Sequence, residues 1–244
     1  MQGYDASTYG DRIADKYDTW HAHMDETTPA TAALLAELAG DGPALELAIG
    51  TGRVALPLAE RGVEVHGLDA SEAMIARLRA KPGGQRIPVT VGDFADVAVD
   101  GRFRLVYIVF NSLFALLTQA EQVRCFRNVA AHLTGDGVFV VEAFVPDLGR
   151  FDRGQRTGVT RIGLDEIILD VSRHEPVTQT VDSQHVVVRA DGVRLQPVRI
   201  RYAWPAELDL MAMLAGLRLR DRWGGWHSEP FTAASAGHVS VYGW

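Results

Sequence analysis

Cysteine is almost missing from this 244-residue chain. Cys125 stands alone, so neither an intrachain disulfide nor a cysteine-built zinc cluster can hold the fold together. Long hydrophobic runs are missing too. The most apolar stretch, residues 105–117, is interrupted by Asn111 and Ser112 and is too short to cross a bilayer. The opening residues carry no basic region followed by an apolar one, so no secretory signal is expected. Positive charge is in deficit: 24 Lys and Arg face 31 Asp and Glu, for a net charge of −7, which lacks the basic footprint of a nucleic-acid binder. With 47% hydrophobic and 23% charged residues the chain has an ordinary globular composition, which excludes wholesale disorder and collagen-like repeats. The expectation is a soluble, cytoplasmic protein with no nucleic-acid or membrane partner. Its length allows one large domain, with or without a smaller insertion.

What is present is a change of texture along the chain. Residues 7–25 are polar and acidic, and Tyr9, Ile13, Tyr17 and Trp20 recur at the spacing of one helical face. Thr28-Pro29 opens a second helix that stops at Gly40. From residue 44 strands and helices alternate: strands at 44–48, 63–68, 87–91, 103–110 and 138–142, with helices at 53–60, 71–81 and 118–133. The last of these is announced by the capping box Thr118-Gln119-Ala120-Glu121. Such alternation implies right-handed crossovers and a parallel sheet. Residues 157–202 instead alternate apolar and polar, and Asp191-Gly192 marks a hairpin. Apolar parity slips across Pro197, which a bulge or an edge strand would explain. A helix at 205–216 and strands at 217–223 and 238–244 complete the chain. The expected fold is α/β: a Rossmann-like, doubly wound, mostly parallel sheet with an N-terminal helical cap and an inserted antiparallel β-sheet. The parts are a cap at 1–36, a core at 37–150, an insertion at 151–204 and closing elements at 205–244.

Chemistry concentrates where the first strand turns into its helix. The run Glu46-Leu47-Ala48-Ile49-Gly50-Thr51-Gly52-Arg53 puts two glycines in that turn, where the backbone can approach an anionic ligand group. Gly50-x-Gly52-x-x-Ala55 also satisfies the dinucleotide fingerprint and does not identify the ligand. Asp69, at the end of the second strand, suits the two hydroxyls of a ribose. Asp93 in Gly92-Asp93-Phe94 is placed to accept from an adenine amino group, with Phe94 beside the ring. Glu46 would repel a pyrophosphate but suits a ligand that carries an ammonium and a sulfonium. Together these residues favour S-adenosylmethionine (SAM) over a nicotinamide dinucleotide.

The same runs, with Gly67-Leu68-Asp69-Ala70-Ser71-Glu72-Ala73-Met74, resemble class I SAM-dependent methyltransferases. The resemblance implies that Glu46, Ala48, Gly50 and Gly52 surround the methionine part of the cofactor, with Arg53 near its carboxylate. It further implies that Asp69 holds the ribose, while Ala70, Met74, Gly92, Asp93 and Phe94 enclose the adenine and Tyr17 and Val109 complete the pocket. Ala48 stands where many members have glycine, a small-for-small exchange.

The pattern Tyr9-Gly10-Asp11 … Lys16-Tyr17-Asp18, with an antiparallel insertion after the fifth strand, resembles small-molecule N-methyltransferases of antibiotic biosynthesis, of the amino-sugar and lincosamide types. It implies methyl transfer to an amine nitrogen, with Tyr9 and Tyr17 lining the transfer site, Phe114 or Phe110 closing it and Asn111 orienting the acceptor. O- or C-methylation of an aromatic metabolite and a non-catalytic SAM-binding protein remain as alternatives. His21-x-His23 reads as a solvated pair facing apart, not a metal site, and His227 as an edge-of-sheet residue. Glu142 is equally suited to a cationic substrate and to nearby backbone donors. The inserted sheet either shapes the substrate pocket or makes a homo-oligomer contact.

Overall fold

The computed structural model describes residues 1, 3–24 and 26–244, with the backbone alone for His23. Of the parallel strands β1 (Ala44–Leu47), β2 (Val65–Asp69), β3 (Val89–Val91), β4 (Phe103–Ile108) and β5 (Leu133–Phe144), the central β1, β2 and β4 and the middle of β5 are mostly buried, as the continuous apolar runs required, whereas the edge strand β3 is partly exposed. With β10 (Arg218–Trp223) and β11 (Gly237–Gly243) they form one sheet in the order β10-β11-β5-β4-β1-β2-β3, β11 running antiparallel to β5. β1 lies between β2 and β4, so strand order reverses at its carboxyl end, where α/β sheets open a ligand crevice.

Helices cover both faces. α3 (Thr28–Ala39) and α4 (Ala55–Glu60) pack Leu35, Ala39, Val54, Ala55 and Leu58 on one core. On the other, α6 (Gln119–His132) and α7 (Pro205–Leu214) supply Phe126, Val129, Leu208 and Met211. α5 (Glu72–Arg79) follows β2, and its Ser71 side chain caps it by accepting from the Met74 N–H at 3.2 Å. The expected capping box at Thr118 and Glu121 is formed in full.

The cap departs from the single helical face expected for residues 7–25. It breaks into α1 (Thr8–Ile13), α2 (Tyr17–Trp20) and a 3-10 turn at Ala22–Met24. A segment so short of aliphatics has little to bury along a continuous helix, and among its described residues the buried hydrophobics are Ile13 and Ala14, against Met74. Gly10 is the point of closest approach: a Cβ there would sit 2.6 Å from that of Ser71.

The insertion is a four-stranded antiparallel sheet, β6 (Gln155–Ile162), β7 (Glu166–Glu175), β8 (Thr180–Arg189) and β9 (Gly192–Arg201). Register runs unbroken through Gln184↔Pro197, so Pro197 is an edge residue without a bulge; the irregularity lies between Val159 and Arg161. The parity slip has another cause. Val193 and Leu195 stand exposed on one face, whereas Val198 and Ile200 turn to the opposite face and reach the cavity described below.

At its base the insertion is tied to the core by a buried polar cluster. Arg201 donates to Gln122 Oε1 at 2.5 Å, Gln179 Oε1 at 2.8 Å and Glu207 Oε1 at 2.7 Å, while its own carbonyl accepts from Gln122 at 2.8 Å. Arg201 and Gln122 are both buried, so removing the guanidinium strands three acceptors. Arg201→Ala is expected to cost about 3–5 kcal/mol in chemical denaturation; a loss under about 1 kcal/mol would show that water replaces the guanidinium freely.

Candidate active site

The turn after β1 is held in a conformation that side chains rarely adopt. Ala48, Gly50 and Gly52 have φ of 56°, 57° and 77°. Ala48 is therefore more than a small-for-small exchange: it sits where only glycine escapes steric cost. A Cβ on Gly52 would lie 2.3 Å from Leu78 Cδ1, so the glycine also lets the turn pack on α5. The Asp69 carboxylate crosses from β2 to fix this turn, accepting from the Gly50 N–H at 2.7 Å and the Ser71 N–H at 2.8 Å.

Glu46 lies deeper, at 2% exposure, and accepts from the Tyr107 hydroxyl at 2.9 Å. Burial pushes its carboxyl up to about 8, against the opposing pull of Tyr107 and the Arg53 guanidinium. Asp69 is likewise raised by burial, an effect limited by the N–H donors of Ser71 and Gly50.

Beside Asp69 and the turn opens a cavity of about 320 Å³, whose lining does not include the buried Glu46. Its lining brings together nine of the expected residues: Tyr9, Tyr17, Ala48, Gly50, Asp69, Ala70, Met74, Phe94 and Asn111. The chemistry fits SAM on the structure's own terms. An ionisable carboxylate faces the hollow, a small apolar recess of Ala70, Met74 and Phe94 lies next to it, and strained backbone lets a ligand come close.

Other expected residues take different places. Phe114 is fully buried and packs edge-on against Phe144 at 5.0 Å, so it belongs to the core; Phe110 and Phe144 line the cavity instead. Val109 is buried in the α3–α4 core. Asp93 Oδ1 accepts from the Ala95 N–H at 2.8 Å, and neither it nor Gly92 is in the lining. Gly52 and Arg53 face an adjoining outer cleft with Tyr17 and His21. Arg53 donates to Thr28 Oγ1 at 3.0 Å there. Asn111 lines the cavity but spends its Oδ1 on the Phe144 N–H at 2.6 Å. Glu142 serves donors of the fold, namely the Phe110 N–H at 2.7 Å and the Trp226 indole at 2.8 Å. His227 is exposed and outside the cavity. The side chain of His23 lies outside the described residues. His21 is not the solvated residue expected: it lines the cavity, half-buried, with its Nε2 3.3 Å from the Tyr9 hydroxyl. Among the described residues no cluster of His, Cys, Asp and Glu is arranged to hold a metal.

Sequence reasoning missed how the cap is fastened. The Ser71 hydroxyl donates to Asp11 at 2.6 Å, the Thr51 hydroxyl to Asp18 at 2.6 Å, and Lys81 bridges Asp18 at 2.8 Å and the Thr51 carbonyl at 2.9 Å. It also missed Tyr4, His185 and Arg199 in the lining. The acidic character of residues 7–25 was the available signal, since Asp11 and Asp18 are the groups that dock.

A glycine turn at a topological switch point, clamped by a carboxylate and opening on an aromatic cavity, defines a Rossmann-like protein built for a nucleoside-bearing ligand. Residues 44–137 match the methyltransferase domain family. The chain is 42% identical to the CcbJ methyltransferase of Streptomyces caelestis, with 98% of this chain and 99% of that one covered and a TM-score of 0.91. It is 28% identical to the cypemycin N-terminal methyltransferase of a Streptomyces species over 95% of both chains. It is 34% identical to a dTDP-3-amino-3,6-dideoxy-α-D-glucopyranose N,N-dimethyltransferase of Streptomyces fradiae over 55% of this chain and 54% of that one. The chain belongs to the SAM-dependent methyltransferases.

Glu46 gives the site a pH signature. With its carboxyl near 8 it is mostly protonated at neutral pH, and a ligand ammonium placed beside it pulls it back toward ionisation. SAM binding at pH 7 is therefore expected to release up to about one proton, read by calorimetry in buffers of different ionisation enthalpy. Glu46→Gln is expected to abolish that release, and a release unchanged by the substitution would remove Glu46 from the methionine end.

Proposed function

We propose that this protein methylates an amine nitrogen of a small-molecule metabolite, with SAM as donor. The observation that carries this reading is the continuity of one cavity. It runs from the Asp69 carboxylate to a wall of Tyr9, Tyr17, Phe110 and Phe144, and on to Val198 and Ile200 of the insertion. When bound, SAM supplies a methyl carbon made electrophilic by a sulfonium. Asp69 would hold its ribose, Ala70, Met74 and Phe94 its adenine, and Glu46 and Arg53 the two ends of its methionine. The chain's remaining work is to orient the acceptor, keep water away and receive a proton. Aromatic faces suit that acceptor, because a protonated or partly charged amine is attracted to ring faces while water is excluded. The names of the relatives, an N-terminal amine methyltransferase and an amino-sugar N,N-dimethyltransferase, agree with nitrogen as the target. The lone Cys125, buried and unpaired, accords with a reducing compartment such as the cytoplasm; among the described residues no helix is long and apolar enough to cross a membrane.

Incubation with methyl-labelled SAM and three acceptors tests the reaction: a peptide with a free α-amino group, a dTDP-amino sugar and a catechol. Label is expected as N-methyl product on one or both amines. Label confined to the phenol, on oxygen or ring carbon, would replace this reading with aromatic methylation.

We further infer that the protein is a homo-oligomer. The support is the outer face of the insertion, where Val159, Ile162, Ile167, Val193 and Leu195 are all exposed on one side of β6–β9. Sedimentation is expected to give a dimer or larger that Ile162→Lys with Leu195→Lys dissociates; a monomer across micromolar concentrations would overturn it.

A further inference from the structure

We propose that His21, acting through Tyr9, takes the proton that the acceptor amine sheds before methylation and passes it to solvent through the outer cleft. This rests on the amine reading above. An alkyl amine of ordinary basicity is an ammonium at neutral pH and has no electron pair to offer a methyl carbon. The site must therefore remove one proton and find somewhere to send it.

The geometry supplies a route. Tyr9 Oη and His21 Nε2 are 3.3 Å apart, and both side chains line the cavity. His21 also lines the outer cleft, with Asp18, Arg53 and Lys81, so one imidazole borders both spaces. The acceptor N–H bond breaks and its proton goes to Tyr9 Oη. The hydroxyl's own proton moves to His21 Nε2, so the electron pair stays on nitrogen and the positive charge moves to the ring. The imidazolium then loses its proton to water in the cleft. Nothing is oxidised or reduced, and no further reactant is needed.

The surroundings favour this assignment. Burial raises the Tyr9 hydroxyl far above its ordinary value, so it stays a phenol and relays rather than acting as a phenolate base. The imidazole is held between the rings of Tyr17, at 4.6 Å, and Phe110, at 5.0 Å, contacts that become cation–π on protonation. Of the other titratable groups facing these spaces, Asp5 accepts from Ser7 and Thr8, Asp69 from Gly50 and Ser71, and Asp18 from Thr51 with Lys81 paired to it. Tyr4 and Tyr17 are raised by burial, and the Arg53 and Arg199 guanidiniums have no electron pair with which to take up a proton. His185, on the insertion side of the cavity, is the rival.

Two measurements decide. In the SAM-free protein, ¹⁵N NMR of the neutral imidazole is expected to show Nε2 as the unprotonated, accepting nitrogen, with its resonance moved by Tyr9→Phe. An Nε2–H form donating to Tyr9 overturns the relay. With the amine acceptor found above, His21→Gln is expected to lower kcat/KM about 100-fold at neutral pH. The deficit should close as pH rises and the free amine accumulates, while S-adenosylhomocysteine affinity stays within about twofold of wild type. A deficit independent of pH makes His21 structural, and an acid limb that moves in His185→Gln but not in His21→Gln gives the role to His185. N-methyl product with a wild-type pH profile in His21→Gln sinks the relay alone, whereas O- or C-methyl product from the unmodified protein sinks the amine reading.

Discussion

The Asp69 carboxylate sets the shape of everything around the cavity. Its two oxygens accept from the Gly50 and Ser71 N–H groups, which fixes the turn after β1 against the start of α5. That turn is costly: an alanine at φ 56° loses about 1–2 kcal/mol relative to ordinary backbone. A hydrogen bond to a charged acceptor returns about 1.5–3 kcal/mol, and two are made, so the strained turn is held with some margin. A carboxylate has more lone pairs than these two donors use. The group that holds the wall thus keeps lone pairs for a ribose, and on the proposed reading cofactor affinity would depend on the integrity of the turn.

The two walls facing Asp69 are fastened by different physics. The insertion is anchored by Arg201, Gln122 and Glu207 where water is excluded, and loss of any partner there leaves a buried polar group unpaired. The cap is held by Asp11, Asp18, Lys81 and Thr51, of which Asp18 is half exposed. Partly solvated pairs of that kind contribute about 0–1 kcal/mol each. With Ile13, Ala14 and Met74 as its small apolar contact, the cap is the wall that opens at least cost, and it carries Tyr9, Tyr17 and His21 with it.

Legibility in the sequence followed the period of the pattern. The buried strands and the glycine turn were readable because apolar runs and φ-tolerant residues are local signals, and so was the hairpin at Asp191-Gly192. Side-chain roles that depend on distant partners were not. Phe114 and Phe110 are four residues apart in one turn, and only the fold decides that the first meets Phe144 in the core while the second faces the cavity. His21 read as solvated because a polar helix face was assumed; breaking the segment into α1 and α2 swings its imidazole onto Tyr9. The parity slip at Pro197 was visible, but its meaning was not, since apolar residues change face there to follow the cavity and not to accommodate a bulge.

The closing strands matter to the site although none of their residues lines it. Phe110 and Asn111, directly after β4, both lie in the left-handed region, at φ 55° and 62°, and such residues cost about 1–3 kcal/mol each. Their strain is opposed from β5: Glu142 accepts from the Phe110 N–H, and Asn111 accepts from the Phe144 N–H. Glu142 is in turn held by the Trp226 indole, from the loop joining β10 and β11. A ring that lines the cavity is therefore aimed by a tryptophan 116 residues further along the chain, so the sheet's antiparallel extension shapes the site as well as the fold.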